Sequence, residues 1–299
     1  MKQQLMRVAG VVLLVAAAGA GTNSTIDSAH PYAYGANVGW INARGDVANG
    51  AVLGQYYCSG WMWGANIGWI SLGAGTPANG YVYGNAAAND YGVNHDGAGA
   101  LSGYAWAPNI GWIAFEQTRG QPRVDLLSGD LSGAAWSGNV GWISLNNTDH
   151  DYGFRLVTTN LYAGPDADAD GLPDPWEYAH AGNLTALSGL AGHDADHDGQ
   201  TDLQEYRAGT DPLNSNDVLR IVAFAANVVE RTGTNWVSTW TGQPTRVYVL
   251  ERATNLLSND WTGVWGPAVG AAGSMSGQEM ADTSTSRFYR VLARPPLSP

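Results

Sequence analysis

The chain has 299 residues, 44% of them hydrophobic and 13 of them tryptophan, with a formal charge of −12. That is length for two or three domains and apolar content for packed cores, which excludes a disordered chain. Twelve acids face a single arginine between Asp166 and Asp217, so most of the charge is local. Such a concentration excludes nucleic acid and anionic membrane as partners, and it repels itself unless cations neutralise it. The single cysteine, Cys58, leaves no internal disulfide, so rigidity has to come from packing and metal.

Residues 1–20 read as a secretory signal peptide: a basic start (Lys2, Arg7), an apolar run from Val8 to Ala18, and small residues at Ala18 and Ala20. The run is too short to span a membrane, and no later stretch has the roughly 20 apolar residues a span requires. The chain is therefore expected to be secreted or displayed at the cell surface after cleavage near Ala20.

Residues 21–160 hold a tryptophan-rich repeat. Four segments share one pattern: Tyr34-Gly-Ala-Asn-Val-Gly-Trp-Ile41, Trp63-Gly-Ala-Asn-Ile-Gly-Trp-Ile70, Trp106-Ala-Pro-Asn-Ile-Gly-Trp-Ile113 and Trp136-Ser-Gly-Asn-Val-Gly-Trp-Ile143. Asn and Gly between two aromatics six apart predict a β-hairpin, because both tolerate the left-handed backbone of a tight turn. Pairing symmetric about the Asn sets the aromatics opposite each other, which is worth roughly 0.5–1 kcal/mol per pair. Repeats of this length predict a β-array in the form of a solenoid, prism or propeller-like ring, each unit about three short strands. Repeated aromatics predict a core spine, with a sugar-stacking platform as the alternative. Cys58 stands in the slot filled by Leu101 and Leu131 in the lead-ins to later copies, and is read as a core hydrophobe rather than a nucleophile. These stretches resemble a repeat seen in many exported bacterial proteins of unassigned activity, and the resemblance implies export only.

Residues 161–217 carry two twelve-residue segments offset by 28 residues: Asp166-Ala-Asp-Ala-Asp-Gly-Leu-Pro-Asp-Pro-Trp-Glu177 and Asp194-Ala-Asp-His-Asp-Gly-Gln-Thr-Asp-Leu-Gln-Glu205. Carboxylates at positions 1, 3, 5, 9 and 12 with glycine at 6 are the ligand pattern of a hard dication that wants six to eight oxygens. Two Ca2+ sites follow. The first takes Asp166, Asp168, Asp170, the Leu172 carbonyl, Asp174 and Glu177; the second takes Asp194, Asp196, Asp198, the Gln200 carbonyl, Asp202 and Glu205. Short helices are predicted to leave each loop, capped by Asp174 and Asp202 with Glu177 and Glu205 completing capping boxes, and to end near Gly182 and Gly209. The residues before Asp166, Thr-Asn-Leu-Tyr-Ala-Gly-Pro, cannot form the entering helix of a full EF-hand. With the closing Ala-Gly-Thr-Asp-Pro at 208–212, the segment resembles the thrombospondin type 3 and dockerin-like calcium modules of extracellular bacterial proteins. Glu at both final positions departs from dockerins, so cohesin is not an expected partner. His193 and His197, four apart in a loop, are read as outward decoration rather than a zinc pair.

Residues 218–299 change to period-two runs, Leu219–Phe224, Trp236–Trp240, Arg246–Arg252 and Arg287–Leu292. They predict a β-sandwich of fibronectin or immunoglobulin type. The phrases Val249-Leu-Glu-Arg-Ala-Thr-Asn-Leu-Leu-Ser-Asn-Asp-Trp261 and Asp282-Thr-Ser-Thr-Ser-Arg-Phe-Tyr-Arg-Val291 resemble a C-terminal module that follows such calcium segments in secreted bacterial proteins. The whole is thus predicted to be mainly β and multidomain: a β-hairpin repeat domain, a small helical calcium module and a sandwich.

Catalytic constellations are sparse. The Ser-Gly pairs belong to the repeat and are not nucleophile elbows. The six histidines (30, 95, 150, 180, 193 and 197) accompany no plausible serine or cysteine nucleophile. Loops offer carboxylate pairs for glycoside hydrolysis, for example Asp90 with Asp96 or Asp149 with Asp151, and spacing alone does not give their geometry. The expectation is a calcium-binding structural or adhesion protein without catalytic activity, directed at a cell-surface polysaccharide or protein. A carbohydrate-binding protein using the tryptophans is the alternative, and a polysaccharide-degrading enzyme comes third.

Overall fold

The computed structural model describes residues 24–46, 48–147, 153–229, 233–257, 260–281 and 287–298. The expected signal peptide lies outside them, as do Asp149, His150 and Asp151.

The four copies of the repeat are four antiparallel hairpins: Ile26–Gly35 with Gly39–Asn42, Trp61–Gly64 with Gly68–Ser71, Leu101–Ala107 with Gly111–Phe115, and Ala134–Ser137 with Gly141–Ser144. The register places Tyr34 opposite Trp40, Trp63 opposite Trp69, Trp106 opposite Trp112 and Trp136 opposite Trp142. Each turn is a three-residue loop. In the first three, the residue after the Asn returns an N–H to the carbonyl three back, as Val38 does to Gly35 at 3.1 Å. The next residue, Gly39, Gly68, Gly111 or Gly141, then takes a φ of 74 to 82°, which completes the favoured three-residue connection. Glycine alone supplies the left-handed residue; the Asn does something else, described below.

Neighbouring hairpins pair edge to edge, and the fourth returns to the first through Tyr34 opposite Ser144 and Gly35 opposite Ile143. The result is a closed eight-stranded barrel with a fourfold sequence repeat, two barrel strands per unit, and no free edge around the ring. Its interior is filled by one side of each strand: Ala33, Ile41, Met62, Ile70, Ala105, Ile113, Ala135 and Ile143, closed at the turn end by Val38, Ile67 and Ile110. Small residues opposite those turns make room, since a Cβ on Gly35 or Gly64 would lie 2.7 Å from Val38 or Ile67. An internal void of about 20 Å³ is lined only by apolar side chains, so the barrel is a packed core and not a channel.

The tryptophans are not the core. Trp40, Trp69, Trp112, Trp136 and Trp142 are 39 to 51% exposed, and Trp63 is 38% exposed. The expected spine is instead an outward ring of aromatic pairs, because an eight-stranded barrel has interior room for one Ile and one Ala or Met per hairpin and not for two indoles. Cys58 sits in the core at 1% exposure beside Leu101 and Leu131, and burial pushes its thiol up to about 12.

The helical segment and the C-terminal strands also differ from expectation. Helices α1 (Asp174–His180) and α2 (Asp202–Ala208) do not form a separate module; Leu172, Trp176 and Leu187 make a small core that Tyr56 of the barrel half helps to cover. No compact sandwich follows. Strands Ile221–Val229, Gly233–Gly242 and Gly273–Ala281 form one three-stranded sheet, and Thr262–Val269, Val247–Ala253 and Phe288–Arg294 form another. The shared core is Trp240, Tyr248 and Ala293, while Ile221, Val222 and Phe224 stay exposed. Too few large side chains point between the sheets to bury a full face of each.

Candidate functional site

Both acidic segments fold into the same loop. Position 4 is left-handed in each (Ala169, φ 59°; His197, φ 63°), as is the glycine at position 6 (Gly171, φ 100°; Gly199, φ 98°). This coil turns the carboxylates inward. The first Asp of each loop spends its oxygens on loop backbone: Asp166 accepts from the Asp170 and Gly171 N–H groups, and Asp194 from those of His197 and Gly199. Ligand oxygens of Asp166, Asp168 and Asp174 lie within 4.8 Å of one another, as do those of Asp168, Asp170 and Glu177, and of Asp194, Asp196 and Asp198.

Glu177 and Glu205 at position 12 are fully buried. Both oxygens of Glu177, Oε2 of Glu205 and one Oδ2 each of Asp196 and Asp198 are buried without any hydrogen-bond donor. A buried anion without donors is expensive, and the neighbouring aspartates make it worse. Burial first, then the charges of Asp170 and Asp168, push Glu177 up to about 8; burial, then Asp196 and Asp198, do the same to Glu205. A divalent cation at each loop centre would satisfy these oxygens, and an all-oxygen set of this charge suits calcium by hardness and by ligand number.

The position-9 residues also bond the loop backbone. Asp174 Oδ1 accepts from Ala167 N–H at 2.8 Å, and Asp202 is held on both oxygens, by Ala195 N–H at 3.0 Å, Ser188 N–H at 2.8 Å and His193 Nδ1 at 2.7 Å. They staple each loop to its helix. Neither caps the helix: α1 follows Pro173 without a side-chain cap, and the capping box of α2 is Thr201 with Gln204. Helix α2 ends at left-handed Gly209 and α1 at Ala181 followed by left-handed Gly182, both as expected. Leu172 is buried, and Gln200 turns its side-chain amide to the Leu219 carbonyl. His197 is exposed and contributes only its backbone to the loop.

The loops connect to both β-regions. Tyr206 of α2 bonds Gln55 of the barrel half through its hydroxyl, and the carbonyls of Tyr206 and Arg207 accept from the buried Arg246 guanidinium of the C-terminal half. A cavity of about 230 Å³ at this junction is lined by residues including His95, Trp176, His180 and Arg246.

The barrel surface offers a second candidate site. The tryptophan pairs repeat one geometry, with ring centres 4.7 to 4.9 Å apart and planes at 58 to 60°. Trp40 is further bracketed by Tyr32, Tyr34 and Phe154, and Trp112 by Tyr91, Tyr104 and Trp106. Open grooves lie beside Trp40, Trp112 and Trp142.

Sequence reasoning missed the asparagine ring. The Asn37 amide donates to the Val140 carbonyl, Asn66 to Val38, Asn109 to Ile67 and Asn139 to Ile110, at 3.0 to 3.1 Å. Each turn is thereby tied to the turn before it, around the whole barrel. A constant Asn beside a constant left-handed Gly was the signal, since a turn with Gly in that role does not itself need Asn. The carboxylates once paired for hydrolysis are loop fasteners: Asp90 accepts from Ala78 and Gly84 N–H, and Asp96 from Ala98 and Ala100.

No protein-family model, curated protein or solved structure matches this chain, so its site is read from its own residues.

Proposed function

We propose that the chain is an exported calcium-binding protein with a structural or adhesive role and without catalytic activity, holding one calcium ion in each acidic loop. The observation that carries this reading is the set of buried, donor-free carboxylate oxygens on Glu177, Asp196, Asp198 and Glu205. The role as a joint is supported by α2, which a barrel glutamine and a buried C-terminal arginine grip at the same time. Calcium that fixes the loop also fixes the helix, and the helix fixes both neighbours. The partner is a cell-surface polysaccharide or protein. Terbium, a luminescent stand-in for calcium, tests the loops directly because Trp176 adjoins Glu177 and can sensitise it. Emission should rise with terbium and fall when calcium is added; no sensitised emission, or emission that calcium does not displace, refutes the assignment.

A second reading, carbohydrate binding by the barrel, is favoured by one observation, the exposure of the tryptophan ring. A contiguous exposed aromatic surface is the mark of a binding face.

A further inference from the structure

The spacing between tryptophans in the repeat is regular except once: 43 residues separate Trp69 from Trp112, against 29 and 30 elsewhere. The additional residues build a wall. Asn85 to Ala88 and Tyr91, together with Tyr104 and Trp112, enclose a groove of about 380 Å³. The wall is firmly built: Asp90 accepts from Ala78 and Gly84 N–H, Asn85 accepts from Gly92 N–H, and Asn94 holds the backbone of Tyr83 from both sides.

Within the groove Trp112 is a rigid platform. Tyr91 meets it at 5.0 Å and 82°, Tyr104 at 6.0 Å and 70°, and Trp106 at 4.7 Å and 60°. Three edge-on neighbours fix the indole, yet 44% of it remains open to solvent. A platform already ordered loses little entropy on binding. A flat apolar face flanked by tyrosines suits a ligand that has both an apolar C–H face and a rim of hydroxyls.

Charge narrows the class. Among the described residues no charged side chain lines this groove, whereas the groove at Trp40 includes His30 and Arg155 and that at Trp142 includes Glu116 and Arg119. The tryptophan-rich half, residues 21–160, itself carries nine acids against four arginines, which disfavours acidic polymers. Lipid is a poor fit, because five of the eight barrel strands have only four residues, against the roughly 9–11 of a membrane-crossing strand.

We infer that the Trp112 groove, walled by the insertion at residues 85–91, binds a pyranose ring of a neutral polysaccharide. This rests on the carbohydrate reading of the barrel and names the place and the sugar class.

The test is calorimetry of the full-length calcium-loaded protein against soluble neutral hexasaccharides of glucose, xylose, mannose and N-acetylglucosamine, with polygalacturonate and a proline-rich peptide as alternative occupants. At least one neutral hexasaccharide should bind. Trp112→Ala should weaken that binding at least tenfold and Tyr91→Ala at least threefold, while Leu257→Ala, an exposed apolar side chain outside the barrel, stays within twofold. Trp112→Phe, which keeps a ring in place, should recover part of the affinity and shows that the loss is not misfolding. If a neutral sugar binds but Trp112→Ala leaves it unchanged, the groove is wrong while the carbohydrate reading stands. If no neutral sugar binds, both fall. Preference for polygalacturonate or for the peptide overturns the neutral-sugar class.

Discussion

Replacing Glu177 by Gln separates the protein's two metal states by the sign of the effect. The side chain is fully buried, and both of its oxygens lack donors. An uncompensated buried charge of this kind costs about 3–5 kcal/mol. Without calcium the group avoids that charge at neutral pH by holding a proton, which itself costs stability against an unfolded chain that ionises near 4.5; Glu177→Gln removes this cost at nearly constant volume, so it should stabilise the protein at neutral pH by about 1–3 kcal/mol. With calcium, the same change removes a chelating carboxylate and should weaken binding at least tenfold. The pH dependence follows from the raised value of about 8 for Glu177. A carboxyl group that binds its proton more tightly folded than unfolded leaves stability intact below its ordinary value near 4.5, and stability is lost as pH rises from there through about 8. Urea denaturation in chelator between pH 4 and 9 should therefore show a decline that Glu177→Gln flattens in part, with Glu205 and the raised Asp168 and Asp196 contributing to the rest. If the substitution destabilises the chelated protein as much as the loaded one, the carboxylate is not an orphan and the account of the loop is wrong.

Three further outcomes are expected. Asn37→Ala removes the 3.0 Å bond that ties the first turn to the fourth and should cost about 1 kcal/mol in a thermal melt; Asn37→Asp should cost at least as much, since a carboxylate cannot donate to the Val140 carbonyl. His95 is buried, with Nδ1 against the Gly54 carbonyl and Nε2 accepting from Gly99 N–H, and burial holds its pKa below the ordinary 6.5. Its contribution is present above pH 6.5 and lost as pH falls below it, so His95→Gln should flatten the acid limb of stability measured with calcium saturating. Arg246→Met strands the carbonyls of Tyr206, Arg207 and Thr245 and should cost about 3 kcal/mol or more; hydrogen exchange should then show calcium protecting α2 without protecting Val247–Ala253.

The hairpins were readable in the sequence because a turn has local rules. Two aromatics six apart around Asn-X-Gly leave one symmetric pairing, and all four copies adopt it. Which face turns inward was not readable. The alternation of Trp with Ile and Ala is the same text whether indoles point in or out, and only closure into a narrow eight-stranded ring sends Trp40 outward and Ile41 to zero exposure. The asparagine ring was hidden for the same reason, since each Asn bonds a turn 28 to 103 residues away. In the acidic loops, charge spacing announced the carboxylate clusters, but the bonds that Asp174 and Asp202 accept from the loop backbone depend on coil geometry that spacing does not encode. Strands Thr262–Val269 and Gly273–Ala281 went unseen because their Gly, Ala and Ser lack apolar alternation; they are strands because neighbours with stronger patterns pair with them.

The central claim is that the two acidic loops each hold a calcium ion that locks the barrel to the C-terminal strands. Isothermal titration of calcium into the chelated, desalted protein tests it most directly. Two ions should bind per chain, one lost in Asp168→Asn with Glu177→Gln and the other in Asp196→Asn with Glu205→Gln. No calcium heat, or two ions still bound after all four substitutions, would contradict it.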